Sequence, residues 1–244
     1  MGRGGFPDRR FVMVDGERSS ITVVDQTFSN ATTGPADWLD KTFFKVEQPN
    51  AFEVIYNGTD STNSWKLTKT SDIADWKLDG ELPEGKELDT AQAPTSALSN
   101  PAFNDLANDA EKAALDKNAT QIKINTSEGF AYDLKVGDST DGSDKIISVT
   151  ITANFPEKRT PAENESAEDK KKLDEEWASA QKTLQDKLAS EQKFTQHAYR
   201  VSSYTVDAIL KKRSELIKDE EKGAITPPPS GNLPIPFQNL PPQE

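Results

Sequence analysis

One imidazole, no thiol and 41 carboxylates bound the chemistry open to this 244-residue chain. A thiol nucleophile, a cysteine zinc site, a disulfide framework and a multi-histidine metal centre cannot be built from these residues alone. His197 is the only candidate general base of its type. Such a base needs a partner to orient it, and a lone histidine in a strand reads as a structural residue. No Gly-x-Ser-x-Gly elbow is present, and Gly2-Arg3-Gly4-Gly5 lacks the strand before it and the helix and lysine after it that a phosphate loop requires. Asp138-Ser139-Thr140-Asp141-Gly142-Ser143-Asp144 is the one carboxylate cluster with cation-like spacing. A helix-loop-helix calcium loop places its acids at alternate positions and ends on a glutamate. Here the spacing is three, between two expected strands, so the segment reads as a polar hairpin loop. A pair of acids for glycoside hydrolysis is not singled out. Five Asn-x-Ser/Thr triplets, starting at Asn30, Asn57, Asn118, Asn125 and Asn164, are at chance level for this composition. No catalytic residue, cofactor or metal is expected.

Charge narrows the partners. The net charge of -12 repels phosphate backbones and anionic lipid surfaces, which argues against nucleic-acid binding. No run approaches the ~20 apolar residues of a membrane-spanning helix, so this segment is not expected to insert. Hydrophobic residues make up 34% of the chain and charged ones 29%. Part of it must therefore be solvated helix or tail.

The elements that would position any site fall into three stretches. Residues 9 to 155 read as a β-rich α+β domain. Residues 156 to 223 read as a long helix plus a strand-helix that completes the same or an adjoining domain, and residues 224 to 244 as a proline-rich tail. In the first stretch, Arg10–Val14 and Ile21–Val24 around Asp15-Gly16 predict a hairpin, and Pro35–Leu39 a short helical turn. Phe43–Glu47 and Ala51–Tyr56 predict two strands joined across Gln48-Pro49-Asn50. Trp65-Lys66-Leu67 recurs as Trp76-Lys77-Leu78, which suggests neighbouring strands with Lys outward. Asp89 caps an expected helix through Leu98, and Phe103, Leu106, Ala110 and Leu115 suggest a second helical segment. Thr120–Ile124, Phe130–Val136 and Lys145–Ile151 alternate as a three-stranded meander with one wet face. Strands interrupted by helices without a βαβ rhythm imply an α+β fold, antiparallel sheets with helices packed on one face.

Pro161 to Gln192 reads as one long amphipathic helix. Leu173, Trp177, Ala180, Leu184 and Leu188 form its single apolar stripe. Docking on its own sheet is favoured over a coiled coil, because the stripe spans barely over two heptads. Phe194–Ser203 predicts a final strand. Ser203 or Thr205 caps a last helix buried through Val206, Ile209, Leu210, Leu216 and Ile217. Residues 224 to 244 hold seven of the fifteen prolines and read as extended chain. There Leu233, Ile235 and Phe237 alternate with Pro234 and Pro236, which favours docking over full solvation. The candidate interaction surface is therefore Trp177, Leu184 and Leu188 on the helix, with Leu233, Ile235 and Phe237 on the tail.

Several stretches share a resemblance. They are Trp38-Leu39-Asp40-Lys41-Thr42-Phe43-Phe44-Lys45-Val46, Ser64-Trp65-Lys66-Leu67, Ala74-Asp75-Trp76-Lys77-Leu78, Gly85-Lys86-Glu87-Leu88-Asp89, Phe130–Gly137 and Tyr199–Asp207. Together they resemble a bacterial cell-envelope family of unknown function, in a Verrucomicrobia-like version, associated with gliding-type ABC-transporter accessory subunits. The resemblance spans residues 9 to 218 and supplies no catalytic residues. It implies a periplasmic or envelope location and envelope partners, transporter subunits among them. Such proteins often carry an N-terminal anchoring helix. Its absence here suggests an excised soluble, C-terminal portion.

The expectation is thus a non-catalytic extracytoplasmic accessory or scaffolding module of a cell-envelope transport system. The alternative is a sugar- or peptide-binding module of the envelope, with Trp38, Trp65, Trp76 or Tyr132 exposed for stacking. A hydrolase using acids alone would need two carboxylates facing each other across a cleft.

Overall fold

The computed structural model describes residues 10–13, 21–25, 34–71, 73–161 and 165–220. The chain forms β1 (Arg10–Met13) and β2 (Ile21–Val24), then β3 (Pro49–Ile55), β4 (Trp65–Thr68), β5 (Lys77–Leu78), β6 (Lys86–Leu88) and β7 (Asp105–Leu106). Helix α1 (Asp109–Asn118) leads into β8 (Thr120–Thr126), β9 (Phe130–Asp138) and β10 (Lys145–Ala153). Helix α2 (Ala167–Glu191), β11 (Ala198–Val201), the single turn α3 (Tyr204–Asp207) and β12 (Ile217–Asp219) complete it.

Eight strands make one antiparallel sheet in the order β5-β4-β3-β8-β9-β10-β11-β7. Alternation decides its faces. Phe130, Tyr132, Leu134 and Val136 of β9 are buried on one side, while Asp133 between them is exposed. Register carries that face across the sheet. Phe52 lies opposite Leu67 and Ile124, Ile122 opposite Leu134, and Ile147 opposite both Val136 and Tyr199. The expected meander and the Trp-Lys-Leu pair are both present, with Leu67 opposite Leu78 in β4 and β5. Since β11 sits between β10 and β7, residues beyond 156 finish the sheet that the earlier ones begin.

The core lies on that apolar face, under Phe43, Phe44, Val46, Leu98, Phe103, Phe194, Val206, Ile209 and Leu216. Leu184 and Leu188 of α2 pack on its margin. Helix α1 lies on the other face, where Leu115 joins Ile146 and Ala198 in a smaller cluster. The rest of that second face carries Lys66, Lys123 and Asp133, and is the expected wet one.

Several local expectations are corrected. Phe43–Glu47 forms no ladder. It runs beneath the sheet, held by Val46 N–H to the Leu98 carbonyl (2.9 Å) and Lys45 N–H to Glu191 Oε1 (3.1 Å). Side-chain burial, not strand pairing, places it. The Gln48-Pro49-Asn50 turn is displaced, because Gln48 alone turns the chain (φ 48°) and Pro49 opens β3. The Asp89 cap exists, accepting from Ala91 N–H at 3.2 Å, but starts only a 3-10 turn, Thr90–Gln92. Pro94 follows at once and cannot donate to a longer helix. The Phe103–Leu115 segment divides into β7 and α1, because Asn108 and Glu111 form a capping box that starts the helix at Asp109. Helix α2 begins at Ala167, where the Ser166 side chain accepts from Asp169 N–H. Phe194 lies in the 3-10 turn Gln192–Gln196, so β11 is shorter than the expected strand. The last helix is one turn. Val206, Ile209 and Leu216 are buried as expected, but Ile217 belongs to β12, paired with β6.

Gly129 closes the β8–β9 turn at φ +92°, and a Cβ there would meet the Asn154 carbonyl oxygen at 2.6 Å. Gly129→Ala should therefore lower stability by about 1–3 kcal/mol. Chemical denaturation checks this, with the slope against denaturant expected to stay unchanged.

Candidate interaction surfaces

The titratable groups with the most altered environments are consumed by the fold. Glu111, on the first turn of α1, is 1% exposed. Its carboxylate accepts from Arg200 Nη2 (2.6 Å) and Nε (3.1 Å), from Asn108 N–H (3.0 Å) and from the Thr140 N–H and hydroxyl (both 3.3 Å). The Arg200 hydrogen bonds, aided by the two backbone donors, hold its pKa down at about 2 against the cost of burial. Asp141 accepts from the Ser139 hydroxyl and from the Ser143 N–H and hydroxyl, and meets Arg200 at 3.2 Å. Those bonds, led by Ser139, keep it well below the usual carboxylate range. The β9–β10 loop is thus the expected polar hairpin loop, with Asp141 spent on its own turn and on Arg200, and Asp138 paired with Lys145. Among the described residues no group of three or more His, Cys, Asp or Glu could hold a metal ion.

A second polar cluster lies under the C-terminal end of α2. Glu191 accepts from Lys45 N–H and from the Tyr132 hydroxyl (3.0 Å), which also reaches the Lys45 carbonyl (2.9 Å). Burial pushes Glu191 upward. Burial first, and the Glu191 charge second, push Tyr132 upward. Lys187 pairs with Glu47, stands 3.7 Å from Glu128 and caps the Phe130 ring at 4.9 Å. These groups fasten α2 and the 43–47 segment to the sheet. His197 is exposed, with the Tyr199 ring as its aromatic neighbour at 6.4 Å.

The aromatics considered for stacking are mostly occupied. Trp65 is 3% exposed and donates to the Lys211 carbonyl at 2.6 Å. Trp76 leans on Phe52 and carries Lys69 at 5.3 Å, and Tyr132 is buried. Trp38 is 69% exposed.

Of the helix surface, Leu184 and Leu188 are half-buried against the core, and Trp177 is half-buried further out. Leu173 is exposed. The helix is about 37 Å long. From Ala167 to Ala180 only Trp177 is less than exposed, so this half stands off the sheet as an arm. Arg159 braces it, bridging Glu165 in a two-pronged pair and Asp174 at 2.9 Å. Docking of the stripe thus holds for its C-terminal half. Leu233, Ile235 and Phe237 lie outside the described residues.

A further apolar surface lies on the β1–β2 hairpin. In the β1–β2 hairpin Phe11 faces Val23 and Met13 faces Ile21, so all four side chains share one side. All four are exposed. The signal is present in the sequence as apolar residues at alternate positions of both strands, which alternation alone does not assign to core or to solvent.

The fold and these surfaces define an α+β domain built on an eight-stranded antiparallel sheet. Residues 4–118 match the family model of a domain of unknown function (DUF4340), a stretch that covers the hairpin, β3 to β7 and α1. No curated protein and no solved structure matches the chain. The envelope-family resemblance is thus supported as far as a domain of unknown function over residues 4–118, and no link to gliding-type ABC-transporter accessory proteins is shown. Among the described residues no helix is long and apolar enough to cross a membrane.

Proposed function

We propose that this protein is a non-catalytic, extracytoplasmic accessory module that holds partner proteins of a cell-envelope transport system. One observation carries the reading: the β1–β2 hairpin presents Phe11, Met13, Ile21 and Val23 together to solvent. Contiguous exposed apolar side chains of this kind mark interaction surfaces. The arm of α2, with Leu173 and Trp177, offers a second apolar strip. The saturation of Glu111, Asp141 and Glu191 supports the non-catalytic half of the proposal, since each is already committed to several donors. The envelope setting rests on the resemblance of residues 9 to 218.

A photo-crosslinking residue at Phe11, in cells of the source bacterium, tests the reading. Adducts with an integral transporter subunit are expected; adducts confined to soluble cytoplasmic proteins would reject it. Phe11→Ser combined with Val23→Ser should abolish a crosslink installed at Met13. The same pair should shift unfolding free energy by no more than about 0.5 kcal/mol, as for other exposed sites.

A further inference from the structure

An open cleft of about 460 Å³ lies between the loop 91–102 and the α3 turn. That volume is within the range of small-ligand sites. None of its lining residues is acidic. In a chain of net charge -12 this is a marked departure, and the sequence shows its origin: residues 90 to 104 carry no charged side chain at all. The one lining cation, Lys211, already gives its ammonium to Gln92 Oε1 at 2.6 Å. What remains is hydroxyl and amide: Ser96, Ser99, Asn100 and Thr205, over a floor that includes Ala97 and Ala208. Tyr204 lines the same cleft and is 78% exposed, a large aromatic face left open to solvent.

The walls are preset. Leu98 is held at φ +61°, a conformation costly for a branched side chain, with that side chain 4% exposed. Its carbonyl accepts from Val46 N–H at 2.9 Å, so the core segment fixes the loop from below. On the other wall, the Leu210 carbonyl takes the Tyr56 hydroxyl and the Lys211 carbonyl takes the Trp65 indole. A strained backbone, a polar lining without acids and an open aromatic ring converge in one place.

We propose that this cleft binds a short neutral saccharide, its ring stacked on Tyr204 and its hydroxyls bonded by Ser96, Ser99, Asn100 and Thr205. Neutral amides and hydroxyls can both donate and accept, as sugar hydroxyls require. The lack of any acidic group in the lining disfavours cationic ligands. The aromatic face matches the apolar C–H side of a pyranose. This goes beyond the accessory role and stands or falls separately from it.

Backbone amide shifts of the full-length protein, titrated with cellobiose, maltose and N,N′-diacetylchitobiose up to about 10 mM, test the site at the millimolar affinities of small ligands. At least one disaccharide should move the amides of Ser96, Ser99, Asn100 and Thr205 saturably. Tyr204→Ala should weaken that binding about tenfold or more, and Tyr204→Phe should preserve it. Because Tyr204 is exposed, its replacement leaves the fold intact, and unchanged amide positions in β8 to β10 verify this. Asn100→Ala should weaken binding without touching the stack. No shift at these amides with any of the three sugars, or binding indifferent to Tyr204→Ala, would overturn the assignment. Equal or stronger shifts with the tripeptide Gly-Ser-Gly would overturn it in favour of peptide.

Discussion

Replacing Glu111 by Ala should destabilise the protein by about 3–5 kcal/mol, the cost of stripping one partner from a buried ion pair. At this chain length that lowers the melting temperature by roughly 10 °C. The effect is large because five donors converge on one side chain: two from Arg200, one from Asn108 and two from Thr140. Without it Arg200 retains, among the described carboxylates, only Asp141 at the exposed rim, and α1 loses half its capping box. Thermal unfolding followed by circular dichroism checks the prediction. A paired replacement, Glu111→Leu with Arg200→Met, should recover much of the loss, since the stranded charge disappears with its partner. The same carboxylate gives the fold an acid limit. Its folded pKa, about 2, lies below the unfolded value of 4.5. Its contribution is therefore fully present above pH 4.5 and lost as pH falls from there toward 2. Glu111→Ala should flatten that part of the stability–pH profile. A profile equally steep in the variant would show that another acid governs it.

Phe43→Ala should cost a similar amount, about 3–5 kcal/mol, as for other buried aromatics cut to methyl. Phe43 touches four rings, with centroids at 4.5 Å to Phe44, 4.8 Å to Tyr199 and 5.1 Å to both Phe103 and Phe194. These rings come from three separate parts of the chain. The residue also sits in a segment without a β-ladder, so no row of backbone bonds compensates for its loss. Hydrogen exchange should show the effect spreading: the Val46 amide, bonded to the Leu98 carbonyl, should lose protection along with the loop at 91–102. Protection unchanged there would mean that Phe43 fills space without holding the segment in place.

The contrast between Phe43 and the central meander shows what the residue order could reveal. In β8, β9 and β10 each strand pairs with its sequence neighbour and one face is wet. Hydrophobic alternation therefore reported both extent and orientation, as at Tyr132, Asp133 and Leu134. The 43–47 segment has the same composition, yet its burial comes from elements distant in sequence: Leu98 above it and Glu191 at the end of α2. Local pattern cannot report such tertiary placement. The α1 boundary was readable, because Asn108 and Glu111 stand at capping-box spacing; the apolar period through Phe103 and Leu106 obscured it. The long helix was legible because its stripe is narrow. That only its C-terminal half docks was not, since Trp177 and Leu184 look alike to a periodicity argument but differ in what lies beneath them. The cleft at Tyr204 left no motif, only an uncharged interval whose meaning depends on the turn that α3 brings across from it.

The borders of the large sheet are drawn by β5 and β7, two residues apiece. An open border normally invites a further strand from another molecule, the route to domain swapping and amyloid. A border this brief gives an incoming chain almost no hydrogen-bonding template, so among the described residues the large sheet cannot readily be propagated from molecule to molecule. At high concentration the large sheet is thereby guarded against edge-to-edge growth, while the apolar hairpin remains on display.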